Sequence, residues 1–427
     1  MKSLLHRCHV WLGVAAGLVL LLLCLSGSLA MFRLEIGQWA AGSPGATGCA
    51  VAITADQAFE ALQAQSDGRA PIRRLSLPAL TGGPERGYYE LRWADGRRAM
   101  LDGCGRPLAG NRAQVGDFLV NLHTRLFMGK QGRWIVGGIG VLMLASLISG
   151  LLVHRKLLSQ WFTLRLGRPG QRRLALSDGH KLLGLWLLPF HLLTAVTGAW
   201  LGLATLIETG PPAKGVQAPR EARYERPAVP LAPLLAHAGQ VLPGLEPVYI
   251  DFFPERGHLS LRGNLPGHLV QRYSAELLFD GGSAQPRLLG VHDPRRLAAP
   301  AWWRQALMPL HMGDWLGERA GALLRWAYAL LGLGTAALVW LGLRLWADRR
   351  TRVAGRLWPR GPGPRRLLAA ATAGMAGACV LPWLVWALAG QGFALGVGAA
   401  LAGFGVGAVL GLSAGSARGK VRSTIGR

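Results

Sequence analysis

Six of the chain's eleven histidines lie inside or at the ends of long apolar runs: His9, His123, His154, His180, His191 and His311. Taken singly, an interfacial imidazole has an ordinary explanation, because it can reach lipid headgroups or cap a helix end. His191 has none. It falls in the middle of HKLLGLWLLPFHLLTAVTGAWLGLATLI, where a polar side chain is costly and marks function. His180 opens the same stretch eleven residues earlier. That spacing is close to three helical turns, so both rings would project from one face about 16 Å apart.

Neutral imidazole is an axial ligand for haem iron, and histidines on facing helices can hold a macrocycle edge-on between apolar walls. His9, His154 and His180 gather at one edge of the apolar runs, and His123, His191 and His311 at or toward the other. The pattern describes two stacked sites and suits electron transfer. Zinc would bring thiolates or carboxylates, and none accompanies the histidines within the spans. Copper stays open, without a Met-rich pattern to support it. A proton relay would use acids inside the spans, whereas Glu208 and Glu318 lie at the rim. Gly13, Gly27, Gly184 and Gly198 would admit a flat ring close to the backbone or serve ordinary helix packing. Arg125, Arg133, Arg304 and Arg325 are placed to pair with propionates or to act as interfacial anchors, and Trp302 and Trp303 read as belt aromatics.

The elements that must position these residues are membrane spans. Half of the 427 residues are hydrophobic, and apolar runs at 10–32, 134–153, 180–207, 322–346, 367–388 and 393–412 reach the ~18 residues that signal a crossing. The first is too long for the apolar part of a secretory signal and lacks an A-x-A site. The formal net charge of +25 is explained by topology. The N-terminus, the 155–181 and 344–366 connections and the tail after Leu412 together hold 21 basic and two acidic residues, all on one side of a six-span arrangement. Both termini are therefore expected in the cytoplasm, beside anionic headgroups, and no nucleic-acid module is visible. Cys8, Cys24 and Cys379 lie in or beside spans, whereas Cys49 and Cys104 flank the first external segment, where a disulfide is permitted.

Between spans one and two, TADQAFEALQAQ predicts a helix capped by Thr54, and PIRRLSL, GYYELRW and RRAMLDG predict short strands. The second half repeats the order. The offset that carries His9 onto His180 also carries Leu12-Gly13 onto Leu183-Gly184 and Ser26-Gly27 onto Thr197-Gly198. LAPLLAHAGQVLPG predicts a second helix, EPVYIDFF, HLSLRG and RYSAELLFD further strands, and His311 corresponds to His123. A span–module–span unit is thus duplicated. The last two spans form a Gly/Ala-rich hairpin.

HVWLGVAAGLVLLLLCLSGS, LHTRLFMGKQGRWIVGGIGVLMLASLISGLLVHRK, WFTLRLG, DGHKLLGLWLLPFHLLTAVTGA and PLHMGDWLGERAGALLRW resemble the PepSY-associated transmembrane family over roughly residues 1–350. The resemblance implies a membrane all-α helical bundle of about six spans with two small α+β PepSY-like modules in the periplasm. Its parts would be a first span (1–33), module one (34–133), a second span (134–154), a basic cytoplasmic loop (155–179), a third span (180–207), module two (208–321), a fourth span (322–346), a basic linker (347–366), the hairpin (367–412) and a tail (413–427). That family includes iron-regulated inner-membrane proteins and ferric-siderophore reductases with two b-type haems, so the resemblance implies His9, His123, His154, His180, His191 and His311 as candidate ligands of haem b iron. The repeat favours His9 with His180 on the inside, and His191 with His123 or His311 on the outside. The expected function is electron transfer to a ferric siderophore or similar periplasmic chelate. With no nucleotide-binding fingerprint in the chain, a quinol or a cytoplasmic reductase would be the donor. The alternatives are a non-enzymatic, membrane-anchored PepSY module that binds a periplasmic ligand or protease, and a siderophore or metal transporter component.

Overall fold

A computed structural model of the chain describes residues 2–41, 52–65, 70–78, 87–108, 115–154, 172–207, 223–225, 227–316 and 318–357, with a few more between 365 and 377. The WFTLRLG motif, Cys49 and most of the terminal hairpin lie outside them. In chain order the elements are α1 (Lys2–Ala30), α2 (Arg33–Ala41), α3 (Ala55–Gln63), β1 (Ile72–Ser76), β2 (Tyr88–Trp93), β3 (Arg98–Asp102), α4 (Val115–Arg125), α5 (Gly129–Val153), α6 (Arg172–Trp186), α7 (Leu188–Ile207), α8 (Leu231–Val241), β4 (Glu246–Phe253), β5 (His258–Asn264), β6 (Ala275–Asp280), β7 (Leu288–His292), α9 (Ala299–Met312) and α10 (Glu318–Leu357). They form two compact units, one built from residues 1–33, 114–207 and 325–427 and the other from 34–113 and 208–324.

The first unit is helical. Among the described residues four segments, lying in it wholly or for most of their length, are long and apolar enough to cross a membrane: Leu4–Ala30, Gly129–Val153, Leu188–Leu206 and Gly321–Arg349. Hydroxyls inside them are satisfied locally. Ser26 and Ser28 in α1, Thr194 and Thr197 in α7 and Thr335 in α10 each donate to the carbonyl one turn back, at 2.6–2.8 Å. Small residues bring the helices close. A Cβ at Gly140 of α5 would lie 2.8 Å from the Ala199 nitrogen of α7, and one at Gly17 of α1 would lie 2.8 Å from Leu343 Cδ2 of α10. Ala16, Leu23 and Ile139 join α1 to α5, and Leu21 and Ala336 join α1 to α10. With α6 also packed on α10 through Gly179 and Leu341, the cyclic order is α1, α5, α6/α7, α10. Hence α1 and α6/α7 face each other across the bundle.

Three details depart from the expected spans. The third is interrupted at Leu187, beside Pro189, which cannot donate to the carbonyl one turn back, although Leu187 still donates to Leu183 and accepts from His191. His180 and His191 therefore sit on separate segments. α10 runs on through Arg344, Arg349 and Arg350, which the sequence assigns in part to a linker. α4, expected in the first module, belongs to the helical unit.

The second unit holds one antiparallel sheet, ordered β3-β2-β1-β4-β5-β6-β7. The strands of the two expected modules are thus hydrogen-bonded into a single sheet through β1 and β4. Arg74 lies opposite Asp251 at that seam and donates two bonds to it, at 2.6 and 2.8 Å. Alternate residues, among them Leu75, Leu91, Ile250, Leu261, Leu277 and Phe279, face α3 and α8 and form one core. Thr54 caps α3 in a capping box with Gln57. The α8 start has no cap of its own, since Pro230 stands there, and Asp56 of α3 supplies one by accepting from the Leu231 and Ala232 amides at 2.6 and 2.8 Å. Strand β7 has no counterpart in the expectation. Cys104 is disulfide-bonded, and Cys8 and Cys24 are free thiols.

Candidate functional site

His9 projects from α1 and places Nδ1 2.9 Å from the Ser146 carbonyl of α5. His180 projects from α6, diagonally opposite, and places Nδ1 3.0 Å from the Leu338 carbonyl of α10. A carbonyl only accepts, so each of these bonds requires the ring proton on Nδ1 and leaves the Nε2 lone pair for another partner; the Ser149 hydroxyl also lies 3.3 Å from His9 Nδ1. That is the arrangement of a metal-ligating histidine. The ring centroids lie 6.2 Å apart, with an interplanar angle of 64°. Two imidazoles bound through Nε2 on opposite sides of one metal ion, at ~2.0–2.1 Å, would have centroids roughly 6.4 Å apart. The observed separation is of that size. Gly13, one turn beyond His9, has no heavy atom within 4 Å of where its Cβ would be.

His6, one turn before His9, is engaged elsewhere: Arg349 donates to its Nε2 at 3.1 Å. His154 is exposed at the C-terminal cap of α5. His123, on α4, donates Nδ1–H to the Leu23 carbonyl of α1 at 2.9 Å and lies against Gly27. It is held as His9 and His180 are, further along α1. His191 is fully buried in the helical unit, and among the described residues neither of its ring nitrogens has a hydrogen-bond partner. His311 is half-buried near the end of α9 and belongs to the sheet unit. The structure therefore brings His9 and His180 together and leaves His154 and His191 within electrostatic reach of that pair, whereas His123 and His311 have settings of their own. Among the described residues no three His, Cys, Asp or Glu side chains group as a metal cage would require.

Arg125 and Arg304 are exposed, Arg133 and Arg325 half-buried. Asp178 was missed by sequence reasoning: it lies in the expected basic loop, yet it is fully buried on α6, one turn before Lys181, whose ammonium is 2.7 Å away. Its DGHK setting, an acid two residues before a ligand candidate, was the available signal. Gly150 and Gly342 were also missed. They lie against the rings of His9 and His180.

The family model described as PepSY-associated TM region matches residues 6–349. The uncharacterized protein PA4219 of Pseudomonas aeruginosa is 32% identical over an alignment of 273 residues that covers 55% of this chain. The match spans 64% of that relative's own length, under two thirds of it.

Proposed function

The chain belongs to the family of PepSY-associated TM regions, and from that premise we propose that it is a dihaem b-type electron-transfer protein of the bacterial inner membrane. Its acceptor on the periplasmic side would be the ferric iron of a siderophore or similar chelate. One observation carries this reading: two imidazoles from opposite helices stand 6.2 Å apart, each with Nδ1 bonded to a backbone carbonyl.

In this reading His9 and His180 hold one haem iron, and His123 with His191, both in the helical unit, holds the other. Bound haem supplies one-electron Fe(III)/Fe(II) chemistry. The residues of the chain do the rest. The carbonyls of Ser146, Leu338 and Leu23 keep a proton on each Nδ1 and set the ring planes. Gly13 leaves room beside His9, and the apolar faces of the helices keep water from the iron. Electrons would arrive from a quinol or a cytoplasmic reductase. Reduction loosens a hard-oxygen chelate, because such donors prefer Fe(III).

The duplicated unit belongs to the same reading. The offset that carries Arg133-Trp134 onto Arg325-Trp326 also carries Gly150 onto Gly342, and these two glycines meet the equivalent histidines His9 and His180. A mere anchor for the sheet unit would have no use for His191, because a buried polar group without a partner costs about 1–3 kcal/mol. The test is a reduced-minus-oxidised optical spectrum of the purified, haem-replete protein. Two b-type haems per chain are expected, and the absence of any haem signal would reject the reading.

A further inference from the structure

Three histidines of the helical unit are held by one device. In an α-helix the side chain of residue i leans back over the preceding turn and covers the helix surface there. A glycine at i leaves that surface bare, with the second lone pair of the carbonyl four residues earlier open to a donor from a neighbouring helix. His9 donates to Ser146 and lies on Gly150, His180 donates to Leu338 and lies on Gly342, and His123 donates to Leu23 and lies on Gly27. In each case the glycine follows the acceptor by one turn.

The contacts are tight enough to matter. A Cβ at Gly150 would stand 3.1 Å from His9 Cε1 and 3.3 Å from Nδ1, and one at Gly342 would stand 3.0 and 3.4 Å from the same atoms of His180. At Gly27 the distances to His123 are 2.7 and 2.9 Å. In each case Nε2 is the more distant nitrogen, at 3.9 Å for His9 and His180 and 3.4 Å for His123. These are rigid rings on helical backbones, so an added methyl group must displace the imidazole, lengthen its hydrogen bond, or both.

We propose that Gly150, Gly342 and Gly27 are positioning residues, whose missing side chains fix the tautomer and plane of His9, His180 and His123, and that in His9 and His180 this presents Nε2 to a metal. That the metal is haem iron rests on the function proposed above; the clamp itself does not. The device separates these three histidines from His154 and His191, neither of which has a carbonyl partner among the described residues.

The test uses full-length protein in detergent as wild type, Gly150→Ala, Gly342→Ala and Gly27→Ala. Gly138→Ala serves as control, since Gly138 has no heavy atom within 4 Å of its would-be Cβ. Nitrogen-15 NMR of histidine-labelled protein prepared without haem reads the tautomers directly. His9, His180 and His123 should be protonated at Nδ1 in the wild type, each should shift in its own glycine variant, and none should move in G138A. In haem-replete protein, G150A and G342A should shift the midpoint of the same haem, and G27A that of the other. Wild-type rings protonated at Nε2 would overturn the clamp, and that measurement needs no variant to fold. A haem-containing wild type with G150A and G342A unchanged would also overturn it and leave the dihaem reading standing. Haem-free wild type with the tautomers as expected would reject the dihaem reading and keep the clamp.

Discussion

His191 spends stability on nothing the described residues show, since it is fully buried with both ring nitrogens unpartnered. Replacing such a group by an apolar one of similar size is neutral or stabilising, unless the group has a ligand to hold. His191→Leu should therefore leave the thermal midpoint of haem-free protein unchanged or higher, while haem-replete protein loses one of its two haem signals; a variant that keeps both haems would make His191 a plain core residue. In the sheet unit, burial holds His258 below the ordinary histidine range. Above about pH 6.5 folded and unfolded forms are both neutral there, and as pH falls the unfolded form takes up its proton first, so stability is lost on acidification. Protection factors of the β5 amides, taken relative to intrinsic exchange at each pH, should fall from pH 7.5 to pH 5, and less so in His258→Gln.

At the scale of elements, α8 owes its start to another helix. Asp56→Ala strips the caps from the Leu231 and Ala232 amides and should cost about 1–2 kcal/mol, measured by chemical denaturation of the sheet unit's tryptophan signal in the full chain. The individual elements were legible in the sequence. Alternation in YYELRW and AELLFD marks strands with one face in a core, and Thr54 with Gln57 marks a helix start. What joins them was not legible. The pairing of β1 with β4 brings together residues as distant as Arg74 and Asp251, and neither strand carries a local signal for its partner. Pro189 was visible inside the third span, but the break at Leu187 follows from geometry the apolar pattern hides. Likewise His9 and His180 stand out by type and repeat, whereas Gly150 and Gly342 are two of sixty glycines until a ring is seen against them.

At the scale of the molecule, the sequence reads as two repeated halves, whereas the described residues form two units that cut across them: one bundle with four span-length helices and one seven-stranded sheet from the segments between spans. A bundle that places histidines on diagonal helices and ties each to a flanking one is suited to holding a cofactor still, which electron transfer needs. The central claim is that His9 and His180 share one iron. It is tested most directly by haem content and redox difference spectra of haem-replete wild type, His9→Ala and His180→Ala. The account predicts two b-type haems in the wild type and one in each variant, with the same haem missing from both. Wild type without haem, or variants that lose different haems, would contradict it.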